Sequence, residues 1–81
     1  MYNVTQVIEM AKFQLGNRLK VARAEKNISQ GQLADLAGVT RQTISSIETH
    51  QYTPSALLAF LIAEKLGKRV DELFFLEGDE R

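Results

Sequence analysis

The side chains best suited to chemistry in this 81-residue chain crowd into one stretch, GVTRQTISSIETHQ, residues 38–51. It holds Arg41, Gln42, Ser45, Ser46 and Thr49, and ends beside His50, the single histidine. Two kinds of chemistry are open to such a set. Ser46, Glu48 and His50 have the residue types of a hydrolytic triad. A triad, however, needs its base oriented by a third side chain and a separate oxyanion site, and neighbouring helical positions point Glu48 elsewhere. One histidine without any cysteine argues against zinc, and no glycine-rich loop is present to cradle phosphate. Neither enzyme activity nor a cofactor is expected.

The second chemistry is recognition of hydrogen-bonding edges. On a helix of 3.6 residues per turn, Ile44, Ile47 and Thr40 fall on one side. Gln42, Ser45, Ser46 and Thr49 fall on the other, with Arg41 at the margin. Glutamine can pair bidentately with adenine, arginine with guanine or phosphate, and hydroxyls with several base edges. No acidic residue, which phosphate would repel, sits on that arc. A merely solvated face is more often rich in lysine and glutamate. The composition fits a helix, 41–49, that enters a major groove N-terminus first.

The neighbouring elements must hold that helix in place. Ser29 with Gln32 three positions on forms a capping box, and Leu33, Ala34, Leu36 and Ala37 carry a short helix to Gly38, suited to a left-handed stop. Thr40 is the next N-cap candidate. Ala34 is small where two helices cross, Val39 fills the space under the turn, and Ile44 with Ile47 dock the second helix. Two short helices joined in this way make a helix-turn-helix.

Upstream, Leu15, Leu19 and Ala22 follow helical spacing until KNI breaks it. Downstream, Thr53-Pro54 reads as an N-cap with proline at the first helical position. SALLAFLIAEKL then runs to Gly67, and VDELFFL is expected as a last short helix. Near the start, Val4, Val7, Ile8, Ala11 and Leu15 share a helical stripe that Asn3 and Gln6 could cap. That stripe suggests an added helix, although Gly16 inside a helix costs about 1 kcal/mol. The alternative is a short strand, KFQ, paired with FFL near the C-terminus; helix is the favoured reading. The expectation is an all-α, five-helix domain spanning 15–76, an N-terminal extension over 1–14, and a frayed acidic tail over 77–81.

The length suits one domain, and the absence of cysteine fits a reducing, cytoplasmic location. No run approaches the roughly 18 apolar residues of a membrane span, and the N-terminus lacks a basic-then-apolar leader. Net charge is zero, which speaks against nucleic acid, but its distribution is uneven. Residues 12–53 carry six basic against three acidic side chains, and residues 54–81 carry four against six. A basic front and acidic tail are compatible with a one-sided electrostatic footprint.

From Leu15 to Phe74 the chain resembles the Cro/C1-type, lambda-repressor-like helix-turn-helix domains. The segments that carry the likeness are NRLKVARAEKNISQGQLADLAGVTRQTISSIE, TPSALLAFLIAEKLG and VDELF. The resemblance implies a transcriptional regulator, a repressor by preference, that binds a palindromic double-stranded DNA operator as a homodimer without a small-molecule ligand. It places Arg41, Gln42, Ser45 and Ser46 at bases. Ser29, Gln30, Thr40, Thr43, Gln51, Tyr52 and Thr53 would lie along phosphates, and Arg23 with Glu48 would form an ion pair between the first and third helices.

Three departures stand out. His50 occupies a position where the family favours glycine, Arg69 one where it favours a serine or threonine cap, and Leu57 and Leu61 ones where it favours polar residues. With Phe75 and Leu76, the two leucines suggest a symmetric dimer contact. A different class of function is also open: an antitoxin-like or adaptor module that uses Leu57, Leu61 and Phe75 to hold a partner chain.

Overall fold

A computed structural model describes residues 2–78. Among them are six helices and a two-stranded antiparallel sheet. The first helix, α1, spans Val4–Ala11 and opens with the reciprocal cap its sequence allows. The Gln6 amide donates to Asn3 Oδ1 at 2.7 Å, and the Asn3 amide donates to Gln6 Oε1 at 2.9 Å.

Here the expected helical continuation through Leu15 fails. Strand β1, Phe13–Asn17, follows and pairs with β2, Phe74–Gly78, in the register Phe13↔Gly78 to Asn17↔Phe74. Both readings hold in part: the added helix forms over Val4–Ala11, and a strand pair forms as well, but FFL pairs with Leu15–Asn17 rather than with KFQ, and the fold is mostly helical rather than all-α. Gly16 shows why. It lies opposite Phe75, whose ring occupies the space a β-carbon would need, so a close strand pair forms where a helix would have carried an unfavourable interior glycine.

Helices α2 (Leu19–Lys26), α3 (Gln30–Ala37), α4 (Arg41–Glu48), α5 (Ala56–Leu66) and α6 (Val70–Leu73) form the body. Leu19, Leu33, Ile44, Ile47, Ile62, Leu66 and Leu73 are its fully buried side chains, with Leu15, Ile28, Val39, Leu58 and Val70 packed around them. Ser29 and Gln32 form the expected capping box on α3, and Gly38 stops it at φ 74°.

Two boundaries differ from expectation. Helix α5 begins after Ser55, whose Oγ accepts from the Leu58 amide at 3.1 Å, rather than at Thr53-Pro54. VDELFFL does not continue as helix: Phe74, Phe75 and Leu76 leave α6 for β2, as aromatic residues favour a pleated, half-buried surface. Of the tail expected to fray, Glu77 and Gly78 belong to β2, and 79–81 lie outside the described residues. The start of α6 lacks a serine or threonine cap but is held otherwise, Glu72 Oε1 accepting from the Arg69 amide at 2.7 Å. No helix among the described residues is long and apolar enough to cross a membrane.

Candidate nucleic-acid interface

Thr40 starts α4 as foreseen, its Oγ1 accepting from the Thr43 amide at 3.1 Å. Ile44 and Ile47 are 0% and 2% exposed, so the helix is pinned on one side by its apolar residues. The opposite arc stands clear. Arg41, Gln42 and Thr49 are exposed, while Ser45 and Ser46 are half-buried at its base. The single glutamate of α4, Glu48, is turned inward and neutralised. It accepts from Arg23 Nε at 2.6 Å, Arg23 Nη2 at 3.1 Å and Gln30 Nε2 at 3.1 Å.

The side chains of Arg23 and Glu48 are 13% and 8% exposed, so this ion pair, 25 positions apart in sequence, is largely removed from water. It clamps α2 to α4 and, through Gln30, α3 to both. Such a pair fixes geometry more securely than it adds stability, because burial of each charge opposes their attraction. Gln30, expected at phosphate, therefore has its amide nitrogen engaged inside the protein and is itself half-buried.

Within the arc, Gln42 Nε2 donates to Ser46 Oγ at 3.1 Å. That bond leaves the Gln42 amide one free N–H and its carbonyl oxygen, the complement of adenine N7 and N6 in a major groove. The remaining expected contacts flank the helix. Ser29 is exposed at the N-terminus of α3, Thr40 is exposed, and Thr43 is half-buried with its hydroxyl 3.0 Å from that of Thr40.

Gln51, Tyr52 and Thr53 present exposed side chains. The backbone N–H groups of Gln51 and Tyr52 are not offered outward: both donate to Ser46 O, at 2.8 and 3.1 Å, and close the end of α4. His50 adopts φ 66° at that turn, with Nε2 3.4 Å from Glu77 Oε1 on β2.

Two residues that sequence reasoning passed over border the candidate site. Asn17, at the end of β1, donates from Nδ2 to Ile47 O at 3.0 Å and accepts from the Leu19 amide at 3.1 Å, locking the ribbon to α4. Lys20, exposed on α2, borders the same cleft as Gln30, Glu48 and Thr49 and places a cation beside the arc. Its position three residues before Arg23, on the same helical face, was the available signal. Of the surface expected to join protomers, Leu57 and Leu76 are 71% and 75% exposed. Leu61 and Phe75 are half-buried, and Phe75 lies against Gly16 with the Arg18 guanidinium 4.6 Å above its ring.

Helices α3 and α4, joined by a left-handed turn and capped at both starts, are a helix-turn-helix, and the helix-turn-helix family pattern matches residues 19–73. The chain belongs to this family, in its Cro/C1-type branch of DNA-binding transcriptional regulators. An uncharacterized HTH-type transcriptional regulator of Methanocaldococcus jannaschii is 47% identical over 64 residues, covering 79% of this chain and 97% of the relative. The immunity repressor protein of Bacillus phage phi105 is 34% identical over 59 residues, or 73% of this chain and 41% of the repressor. Among solved structures, the restriction-modification controller protein C.AhdI from Aeromonas hydrophila is 30% identical with a TM-score of 0.64. That likeness covers 67% of this chain and 78% of the controller.

Proposed function

We propose that the protein is a cytoplasmic, sequence-specific repressor that inserts helix 41–49 into the major groove of a palindromic operator as a homodimer. One observation carries the reading: a helix anchored by Ile44 and Ile47 turns outward an arc with no free acidic group. Arg41, Gln42, Ser45 and Ser46 read bases. Ser29, Gln30, Thr40, Thr43, Gln51, Tyr52 and Thr53 follow the phosphates, Gln30 through what remains of its exposed surface. Blocking polymerase access needs no more than occupancy, and the similarity to a phage immunity repressor supports that direction of control.

The test begins with selection of bound duplexes from a random pool. On the selected site, Gln42→Ala should weaken binding by about 1–3 kcal/mol and relax preference at one base pair. An equal loss on random DNA would contradict the assignment of Gln42 to a base.

A second reading is the antitoxin-like or adaptor module expected to grip a partner through Leu57, Leu61 and Phe75: Leu61 and Phe75 are half-buried, but Leu57 and Phe60 are 71% and 60% exposed and keep that reading open. Salt separates the two. Binding to DNA should fall steeply as salt rises, whereas an apolar partner contact should scarcely change.

A further inference from the structure

Helix α1 is properly built and rests against β1, and among the described residues its apolar stripe is left largely uncovered. Its stripe residues Val4, Val7 and Ile8 are 76%, 53% and 57% exposed, with Met10 beside them at 53%. An isolated helix of eight residues is marginal in water even with a good cap, so the stripe needs a partner surface for the helix to persist. Next to α1 the chain leaves an open groove lined by Met10, Phe13, Gln14, Leu15, Thr53 and Leu76, with no charged group among the described residues that line it. Leu15 and Leu76 face each other across the ribbon, and Leu76 is 75% exposed. Each copy therefore carries both an uncovered apolar helix and an unfilled apolar groove.

The shape of the whole chain agrees. Its radius of gyration is 13.8 Å, against about 11.7 Å for a compact domain of this length. Its accessible surface is 5749 Å², against roughly 4,900 Å² for a compact monomer of its mass. The excess reflects a projecting α1 and an open groove that the body leaves uncovered. The family pattern begins only at residue 19, and the similarity that covers 97% of the Methanocaldococcus relative leaves about a fifth of this chain outside it. The helix-turn-helix body therefore does not account for α1.

We infer that α1 is a dimerisation arm: the Val4–Val7–Ile8 stripe of each protomer lies in the Leu15–Leu76 groove of a second copy of this chain, in a reciprocal two-fold exchange. The inference rests on the dimeric part of the function proposed above and supplies its contact. It also connects that contact to DNA reading. Asn17 ties the ribbon to Ile47 O, and His50 meets Glu77, so the arm's docking platform is joined to the end of α4. Exchange of arms would then set the separation of the two recognition helices.

Sedimentation velocity on the full chain and on Val7→Glu/Ile8→Glu tests this, with Leu57→Glu as comparison. Both altered α1 positions are exposed, so the core of the body should stay folded, while a monomeric variant should lose the small helical signal of α1 and melt somewhat lower, as loss of a partner copy requires. The expected result is a dimeric parent, a monomeric α1 variant, and a dimeric Leu57→Glu protein. A dimer that survives Val7→Glu/Ile8→Glu would overturn the arm, and loss of the dimer only in Leu57→Glu would move the contact to α5 while leaving a dimeric regulator intact. A parent monomeric at all concentrations, whether or not it pellets with anionic phospholipid vesicles, would remove the dimer altogether; retained operator binding would then still uphold DNA reading.

Because the chain has no cysteine, mixing Ile8→Cys with Leu76→Cys protein under mild oxidation gives a second readout. The mixture should yield a disulfide-linked species of twice the mass well beyond that formed by either variant alone. No such enrichment would overturn the exchange.

Discussion

If Gln42 reads a base as proposed, it is a side chain prepared before any DNA arrives. Free glutamine rotates about three torsions, and ordering it consumes part of what its contacts return. Its bond to Ser46 Oγ already holds the amide, and the groups left free are the pair that adenine requires. Ser46→Ala should therefore weaken the selected operator chiefly through Gln42. A double-mutant cycle should show a coupling of about 0.5–1 kcal/mol between the two. Strictly additive losses would mean that each side chain reads its own base. Glu48 is a different case, serving geometry instead of contact. Glu48→Leu leaves the Arg23 guanidinium largely buried without its partner, and thermal unfolding should register a loss of about 3 kcal/mol. Arg23→Met/Glu48→Leu should recover most of that. The pairing of residues 25 apart was legible only through the family likeness, since nothing local in either helix requires the other; the third donor, Gln30, was read as a phosphate ligand because its place in the first turn of α3 was visible and its reach to Glu48 was not.

At the scale of elements, caps and stops were legible because each is a local bargain between a few neighbouring groups. Ser29 with Gln32, Thr40, Gly38 and Gly67 all act where their sequence places them. The ribbon was not legible for the converse reason. Leu15 fits a helical stripe with Val4 and Ala11 as well as it fits alternation in a strand. What decides between them is a partner some sixty residues away. Gly16→Ala tests that decision. The added methyl meets the Phe75 ring, and overpacking of this kind costs about 1–3 kcal/mol. Chemical denaturation should show the loss, and a neutral outcome would mean that the ring moves aside at little cost. His50 stands at another element boundary. Its left-handed backbone, φ 66°, carries strain of about 1 kcal/mol that glycine would avoid, while its contact with half-exposed Glu77 contributes little. His50→Gly should raise stability at neutral pH by about 0.5 kcal/mol.

The whole molecule poses a problem of charge, since a net charge of zero is unusual for a protein that approaches a polyanion. The structure narrows the cations that remain for phosphate. Arg23 is bound to Glu48, Arg18 stacks on Phe75, Lys68 pairs with Glu25 and Arg69 with Asp71. Beside α4, Arg41 and Lys20 are exposed. Two such groups per protomer, four per dimer, would release few counterions. The logarithm of the binding constant should then fall with the logarithm of salt with a slope near −4. On the proposed function, most of the affinity would come from base edges, neutral hydrogen bonds and helix N-termini, and non-specific binding should be weak and the ratio of specific to random affinity high. Lys20→Ala should flatten the slope by about 2 in a dimer while leaving base preference unchanged, as expected of a phosphate contact. A parent slope steeper than about −8 would mean that many more cations reach the backbone than this arrangement allows, and that the acidic C-terminal half turns away from DNA further than the fold implies. A Lys20→Ala slope equal to the parent's would take Lys20 out of the interface and leave the neutral hydrogen-bonding arc to act without its flanking cation.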